Sequence, residues 1–194
     1  DNDEPNIFFQ FSDFEILELG KSFSDMIISD VQSAIYLSDY NNNSLLKINT
    51  QNSLLVEQNT IVGSHPIALD INSDESIIAI AHEGESSILI LNSQDLEILN
   101  SFSVSLMNMN DLAFINDTTL IISSKTDPSC ITLNLISGEE TTQSVLNGEL
   151  AMDREGQILY VATSSSLKKY NWDGLRLNQD AIISDPYGFV GDIH

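Results

Sequence analysis

Acidic residues recur at one position of a repeating sequence pattern, at the start of the first apolar run of each unit. This position holds Asp25, Asp111, Glu149 and Asp192 in four units and Ala68 in the remaining one. Carboxylates that gather in one place raise one another's pKa unless a cation or backbone N–H groups offset their charge. Ca²⁺ takes oxygen ligands, so one hypothesis is a metal site with Ca²⁺ as cofactor. The alternative, which we favour, is that each carboxylate caps backbone N–H groups of its own turn.

A second set of polar residues falls in loops that the repeat predicts on one face of the molecule. These candidate ligand-binding residues are His65, His82, Glu83, Asp39, Lys125 and Asp127. A histidine beside a carboxylate, as in His82 and Glu83, can act as the general base of a hydrolase. His65 and His82 could also ligate a transition metal, but two ligands without a third are weak evidence. We therefore favour two solvated loop histidines over a catalytic or metal-binding pair.

Local motifs of well-known chemistry are absent from the sequence. It contains no Gly-x-Ser-x-Gly elbow, no His-Glu-x-x-His, no phosphate loop and no paired-cysteine zinc motif. Cys130 is the single cysteine and begins an apolar run, so we expect a small core residue rather than a nucleophile.

The elements that must position these residues repeat every 43 residues. The sets that keep this spacing are Ser44, Ser87 and Cys130; Ala34, Ile77 and Leu120; and Ile28, Ile71 and Phe114. The clearest unit contains four apolar runs separated by turn-forming residues, at Ile67–Ile71, Ile77–Ala81, Ile88–Leu91 and Leu96–Leu99. Such a unit predicts a four-stranded antiparallel meander. No window of a dozen residues keeps a helical period.

Four-stranded units of about 40–45 residues are typical of β-propeller blades. Each blade packs on both faces, which explains strands that are solidly apolar; a β-sandwich, the alternative, does not predict a fixed period. We therefore predict an all-β, single-domain β-propeller of four-stranded antiparallel blades, partial or with about five blades. The predicted segments are outer strands of a shared blade at 5–22, blades at 23–64, 65–108, 109–147 and 148–186, and the first strand of a further blade at 187–194. In this fold the first strands line a central channel, and the loops before them and after the second strands form its top face.

Two stretches carry a family resemblance. The first is Pro66–Ile71 with the following Asn72-Ser73-Asp74-Glu75, and the second is Leu159-Tyr160-Val161-Ala162-Thr163. Both resemble the YVTN-type β-propeller repeat. The resemblance as a whole extends over about residues 5–194. The resemblance implies a surface-layer or secreted propeller, or a lactonase-like enzyme, commonly with seven blades. It also implies an extracellular, periplasmic or cell-surface location. Because about five blades are visible here, the chain is expected to be part of a longer one, to close as a small ring or to pair with a second copy.

The composition of the chain excludes some classes of binding partner. Lys and Arg number 7 against 29 Asp and Glu, and the net charge of −22 repels nucleic acid and anionic membranes. No apolar run approaches the roughly 20 residues that a membrane-spanning helix needs. The expected partner is therefore a protein or a glycan, or the chain itself in self-assembly.

Three functions fit these observations. The first, which the missing catalytic motifs favour, is a non-catalytic extracellular or cell-surface scaffold that binds through its top-face loops. The alternative is a lactonase-like hydrolase with a carboxylate or metal site at the channel mouth. The third is one module of a larger assembly, such as a surface layer.

Overall fold

Sixteen β-strands form the regular structure of a computed structural model, which describes residues 19, 21–51, 55–145, 147–155 and 157–184. In chain order they are β1 (Phe23–Ser29), β2 (Ala34–Asp39), β3 (Ser44–Asn49), β4 (Leu55–Ile61), β5 (Pro66–Ile71), β6 (Ile77–His82), β7 (Ser87–Asn92), β8 (Ile98–Ser103), β9 (Met109–Asn116), β10 (Thr119–Ser124), β11 (Cys130–Asn134), β12 (Glu140–Gln143), β13 (Glu149–Asp153), β14 (Ile158–Ala162), β15 (Ser166–Trp172) and β16 (Leu177–Ser184).

The strands form four sheets, each an antiparallel meander of four consecutive strands. The sheets, numbered 1 to 4 along the chain, are β1–β4, β5–β8, β9–β12 and β13–β16. The third strands of sheets 1, 2 and 3 begin at Ser44, Ser87 and Cys130, so the spacing of 43 residues is also the spacing of the strands. The prediction of an all-β chain built from four-stranded antiparallel units is confirmed.

One predicted strand begins later in the structure than in the sequence. The apolar run at Leu96–Leu99 predicts a strand from its first residue, but β8 begins at Ile98. Leu96 adopts a φ of +56° and is 1% exposed, because its side chain fills the core between sheets 1 and 2 from within a turn. Its apolar character therefore reflects packing rather than strand pairing.

The core consists of three apolar layers, one between each pair of successive sheets. Tyr36 and Leu45 of sheet 1 pack against Ile78 and Ile80 of sheet 2. A second layer joins sheets 2 and 3, and a third joins sheets 3 and 4. Because the middle sheets bury both faces, their inner strands are apolar on both sides, which is the packing of propeller blades. The described residues form a partial β-propeller.

The outer face of sheet 1 has no sheet against it within the described residues. Ile28 on this face is 59% exposed, whereas its repeat equivalents Ile71 and Phe114 are 6% and 0% exposed. The same residue type at the same register position is therefore a core residue in sheet 2 and a surface residue in sheet 1.

Parts of the sequence prediction fall outside the described residues. Of the predicted outer strands at 5–22 only residues 19, 21 and 22 are described, and the predicted strand at 187–194 lies wholly outside. The described part of the chain contains no helix with the length and hydropathy of a membrane span.

Candidate functional site

The first strands of the four sheets border a cavity of about 480 Å³, which is the channel of the partial propeller. Strand β5 contacts β1 on one side and β9 on the other, and β9 in turn contacts β13. The ionisable residues that line the cavity are Asp25, Asp70, Asp111, Glu149, Lys125 and Arg154. Its volume lies within the range of about 300–1,000 Å³ that is usual for small-molecule sites.

Two of the predicted carboxylates join neighbouring sheets. Asp25 accepts the N–H of the following residue at 2.7 Å and, on its other oxygen, the N–H of Leu69 in sheet 2 at 2.6 Å. Asp111 does the same, with the N–H of the following residue at 2.7 Å and that of Leu150 in sheet 4 at 2.6 Å. Backbone N–H groups therefore offset both charges, and each carboxylate connects one first strand to the next.

Asp111 has the most perturbed environment of these carboxylates. Burial raises its pKa well above the ordinary value, and the nearby charges of Glu149 and Asp25 raise it further, against the N–H groups of Leu150 and Leu112. Glu149 accepts a hydrogen bond from the amide of Asn110 at 3.1 Å. Three of the four predicted metal ligands, Asp25, Asp111 and Glu149, therefore lie close enough for their charges to interact.

Calcium binding at this position stays a prediction. Within the described ranges, no three His, Cys, Asp or Glu side chains are grouped closely enough to hold a metal ion. An ion at the channel mouth would share the oxygens of Asp25 and Asp111 with the backbone donors. The fourth predicted ligand, Asp192, lies outside the described residues.

Asp70 departs from the repeat and pairs with Arg154. Asp70 lies two residues after Ala68, where the other units carry their carboxylate, and it accepts the N–H of Phe114 in sheet 3 at 2.6 Å. Arg154, in the turn between β13 and β14, binds both carboxylate oxygens through Nη2, at 2.8 and 2.7 Å. Burial raises the pKa of Asp70 although the guanidinium of Arg154 and the backbone donors oppose this. The pair links sheets 2 and 4 across the channel.

Four side chains from three sheets form a continuous set on the top face, which we call the loop network: Tyr40, His65, Glu83 and Lys125. The rings of Tyr40 and His65 lie 4.5 Å apart between centroids, with 30° between their planes. The Tyr40 hydroxyl donates a hydrogen bond to Glu83, whose other oxygen binds Lys125 Nζ at 2.7 Å. The hydrogen bond from Lys125 has the largest effect on the pKa of Glu83 and lowers it, and the hydrogen bond from Tyr40 lowers it further. Lys125 also lines the channel, so the network reaches its mouth.

Backbone conformation holds the loop network in place. His65 and Asn43 adopt φ values of +51° and +56°, and the His65 N–H donates to the Asn43 side-chain oxygen at 3.0 Å. The backbone of Glu83 donates to the carbonyl of His65 at 3.0 Å. On the neighbouring sheet, the Lys125 N–H donates to the carbonyl of Asn108 at 2.8 Å. The loops before the first strands and after the second strands therefore support one another.

His82 is the last residue of β6 and is 1% exposed. Its Nε2 lies 2.8 Å from the carbonyl oxygen of Val62 and its Nδ1 lies 3.3 Å from that of Ser87. Gly63 makes this possible, because a Cβ at position 63 would lie 2.9 Å from Nε2. The ring connects strand β6 to the loop before β5 and presents almost no surface to a ligand.

Asp39 and Asp127 are likewise held by their neighbours. Asp39 is 0% exposed and forms an ion pair with Lys21 at 2.8 Å. Burial acts to raise its pKa, but the hydrogen bonds from Lys21 and Asn42 together lower it below the ordinary value. Asp127 accepts from the Ser124 hydroxyl at 3.2 Å. A ligand on the top face can therefore reach His65, Glu83 and Lys125 more readily than Asp39 or His82.

Sequence reasoning missed two residues of the site. Tyr40 lies in a loop that the sequence shows only as polar, and its pairing with Glu83 spans 43 residues, which is one repeat. That spacing is the signal that could have revealed the pair, because equivalent loops of adjacent blades are neighbours. Arg154 gives no comparable signal, since its partner Asp70 lies 84 residues away and off the repeat position.

Comparison with known proteins establishes the fold and nothing finer. No protein-family model and no curated protein matches the chain. Hydrazine synthase of Kuenenia stuttgartiensis matches with a TM-score of 0.70 at 12% identity, over 91% of this chain and 53% of that one. The C-terminal WD40 domain of Sif2 gives 0.64 at 14%, over 84% and 46%. A lactonase-like protein of Bacteroides fragilis gives 0.65 at 14%, over 84% and 55%. The chain spans about half the length of these structures.

Proposed function

We propose that this chain is a β-propeller of the YVTN-repeat type that acts as a binding module through its top face. The observation that carries the proposal is the loop network, in which exposed or half-exposed side chains of loops from three successive sheets meet at the channel mouth. Recognition surfaces are commonly built in this way, from loops that a rigid scaffold positions.

The chemistry of the loop network suits a polar partner with both acidic and basic groups. Lys125 and Glu83 offer one charge of each sign, with side chains 40% and 31% exposed. Tyr40 and His65 add a pair of rings in tilted contact beside them. Aromatic rings with polar edges are frequent in binding surfaces because they offer contact area at low entropic cost. A protein segment or a glycan could use these groups.

Array binding tests the proposal. The labelled chain is applied to peptide and glycan arrays beside a His65→Ala/Lys125→Met variant and a Lys169→Met/Asp180→Asn variant, which changes an ion pair of sheet 4 instead. We expect spots that bind the wild type and the second variant but lose at least about 90% of their signal with the first. An array on which no spot depends on the loop network contradicts the proposal.

A lactonase-like hydrolase is the second candidate, and the environment of Asp111 favours it. A carboxyl group with a raised pKa in a cavity, close to a second carboxylate, is the kind of group that acid–base catalysis uses. A panel of lactones with and without divalent metal, assayed with Asp111→Asn and Glu149→Gln, separates the two candidates. Turnover that both variants abolish would establish the hydrolase and displace the binding module.

A further inference from the structure

We propose that the groove between the outer hairpins of sheets 3 and 4 binds a single neutral sugar ring. The groove contains a cavity of about 130 Å³ at the end of the sheets opposite the top face. One wall comes from β10, β11 and β12 of sheet 3, and the other from the hairpin between β15 and β16 of sheet 4. This site is separate from the loop network and from the channel.

The sheet 3 wall offers hydrogen-bonding groups of both kinds. Thr119, Thr141, Asn134 and Glu139 line the cavity. Among the described residues, the hydroxyls of Thr119 and Thr141 and the carboxylate of Glu139 have no hydrogen-bond partner, and Asn134 uses only its oxygen, for two backbone N–H groups at 2.9 Å. Threonine hydroxyls donate and accept, the Asn amide donates and the carboxylate accepts. A ligand rich in hydroxyl groups can satisfy all of them at once.

The sheet 4 wall supplies an apolar surface. Trp172 is half-buried, packs against the core between sheets 3 and 4, and lines the cavity together with Leu175. A Cβ built on Gly174 meets no atom within 4 Å, so this side of the groove is open. A tryptophan beside hydrogen-bonding groups suits a ring with C–H bonds on its face and hydroxyls on its edge, which describes a pyranose.

A buried glutamine fixes the two walls relative to each other. Gln143 is 2% exposed, and its Nε2 donates to the Thr132 hydroxyl at 3.0 Å and to the carbonyl of Leu175 at 3.2 Å. Its Oε1 accepts the N–H of Leu177 at 3.2 Å. The groove is therefore formed before a ligand arrives, which lowers the entropic cost of binding.

Charge and size narrow the ligand class. The only charged residue that lines the cavity is Glu139, so phosphorylated or acidic sugars are disfavoured. The volume is well below the roughly 300 Å³ at which pockets for larger ligands begin, so one ring fits, with part of it in solvent. The ring can belong to a free monosaccharide or to a residue within a glycan chain, and the probes below distinguish these.

Trp172 is the only tryptophan of the chain, so tryptophan fluorescence reports on this groove alone. The full chain is titrated with the methyl glycosides of glucose, galactose, mannose and N-acetylglucosamine, and with matching oligosaccharides. Saturation-transfer NMR serves as a second readout. We expect a saturable change with a midpoint on the order of 1 mM for at least one glycoside. Tighter binding of the oligosaccharide would identify a glycan chain as the source.

Two nearly isosteric variants complete the test. Thr119→Val/Thr141→Val removes two cavity hydroxyls while keeping β-branched side chains, and should weaken binding about tenfold or more. Thr142→Val is the matched control, because Thr142 is exposed and points to the other face of β12; it should leave the midpoint unchanged. The proposal is overturned if neither readout shows saturable binding, or if the double variant binds as the wild type does.

Discussion

Arg154 and Asp70 connect the fourth sheet to the second across the channel, with Nη2 and Oδ2 2.7 Å apart. The guanidinium also donates through Nε to the carbonyl of Phe114 in sheet 3, at 3.3 Å. The Arg154 side chain therefore contacts two other sheets. The ion pair joins sheets 2 and 4, and the hydrogen bond to Phe114 adds sheet 3.

Removing this pair should lower stability more than removing an exposed arginine. Arg154→Gln should reduce the unfolding free energy by about 1–3 kcal/mol, because a partly buried charge loses its partner. Arg176→Gln changes an exposed arginine and should cost less than about 0.5 kcal/mol. Denaturant unfolding of both variants, with Asp70→Asn and the double variant, gives the coupling energy. An equal loss of unfolding free energy in the two arginine variants would contradict a stabilising contact between Arg154 and Asp70. A coupling energy near zero between Arg154 and Asp70 would contradict it as well.

Gly63→Ala should destabilise the chain through His82. Gly63 has a φ of +114°, and an added Cβ would lie 2.9 Å from the imidazole Nε2 and 3.2 Å from Cδ2. We expect a loss of about 1–3 kcal/mol in thermal or denaturant unfolding, from backbone strain and displacement of the ring. Gly84→Ala is the control: its nearest atoms are 3.6 and 3.7 Å away, and the loss should stay below about 0.5 kcal/mol. Equal losses of stability in the two variants would contradict the close contact between Gly63 and the His82 ring.

Substitutions at Ile28 and Ile71 test whether the outer face of sheet 1 is exposed in solution. These two residues are equivalent in the repeat, but Ile28 is 59% exposed and Ile71 is 6% exposed. Ile71→Ala should cost about 2–5 kcal/mol of unfolding free energy because it leaves a cavity in the core. Ile28→Ala should cost less than about 1 kcal/mol. A comparable loss at Ile28 would show that something covers the outer face of sheet 1 in solution.

Asp111→Asn should change how stability depends on pH. Burial, and then the charges of Glu149 and Asp25, raise the pKa of Asp111 in the folded chain. The folded chain then holds this proton more tightly than the unfolded chain does. Its stabilising contribution is complete below the unfolded pKa of about 3.9 and is lost as the pH rises through the folded pKa. As the pH rises above the unfolded pKa of about 3.9, the melting temperature of the wild type should therefore fall relative to that of the variant. A constant or rising difference would contradict the raised pKa.

The architecture could be predicted from sequence because it depends on local signals that repeat. Apolar runs and turn residues recur at a fixed spacing, and Ser44, Ser87 and Cys130 begin strands where that spacing places them. The prediction failed where an apolar residue serves the core from outside a strand. Leu96 is such a residue, since it is buried from a left-handed turn.

The site was less accessible to sequence reasoning, because its contacts depend on loop conformation. The burial of His82 depends on the close approach of its ring to Gly63, which has no Cβ. The pairing of Tyr40 with Glu83 depends on adjacent blades. The contact between Arg154 and Asp70 depends on the curvature of the whole arc of sheets, which no local pattern encodes.

Ligand binding at the loop network is tested most directly by two matched lysines, Lys125 and Lys169. Lys125–Glu83 and Lys169–Asp180 are both ion pairs at 2.7 Å, with lysine side chains 40% and 34% exposed. Isothermal titration of the best array ligand into Lys125→Met and Lys169→Met compares them at equal loss of charge. We predict that Lys125→Met weakens binding at least about tenfold and that Lys169→Met leaves it unchanged. Equal affinity of both variants, or a loss confined to Lys169→Met, would contradict it.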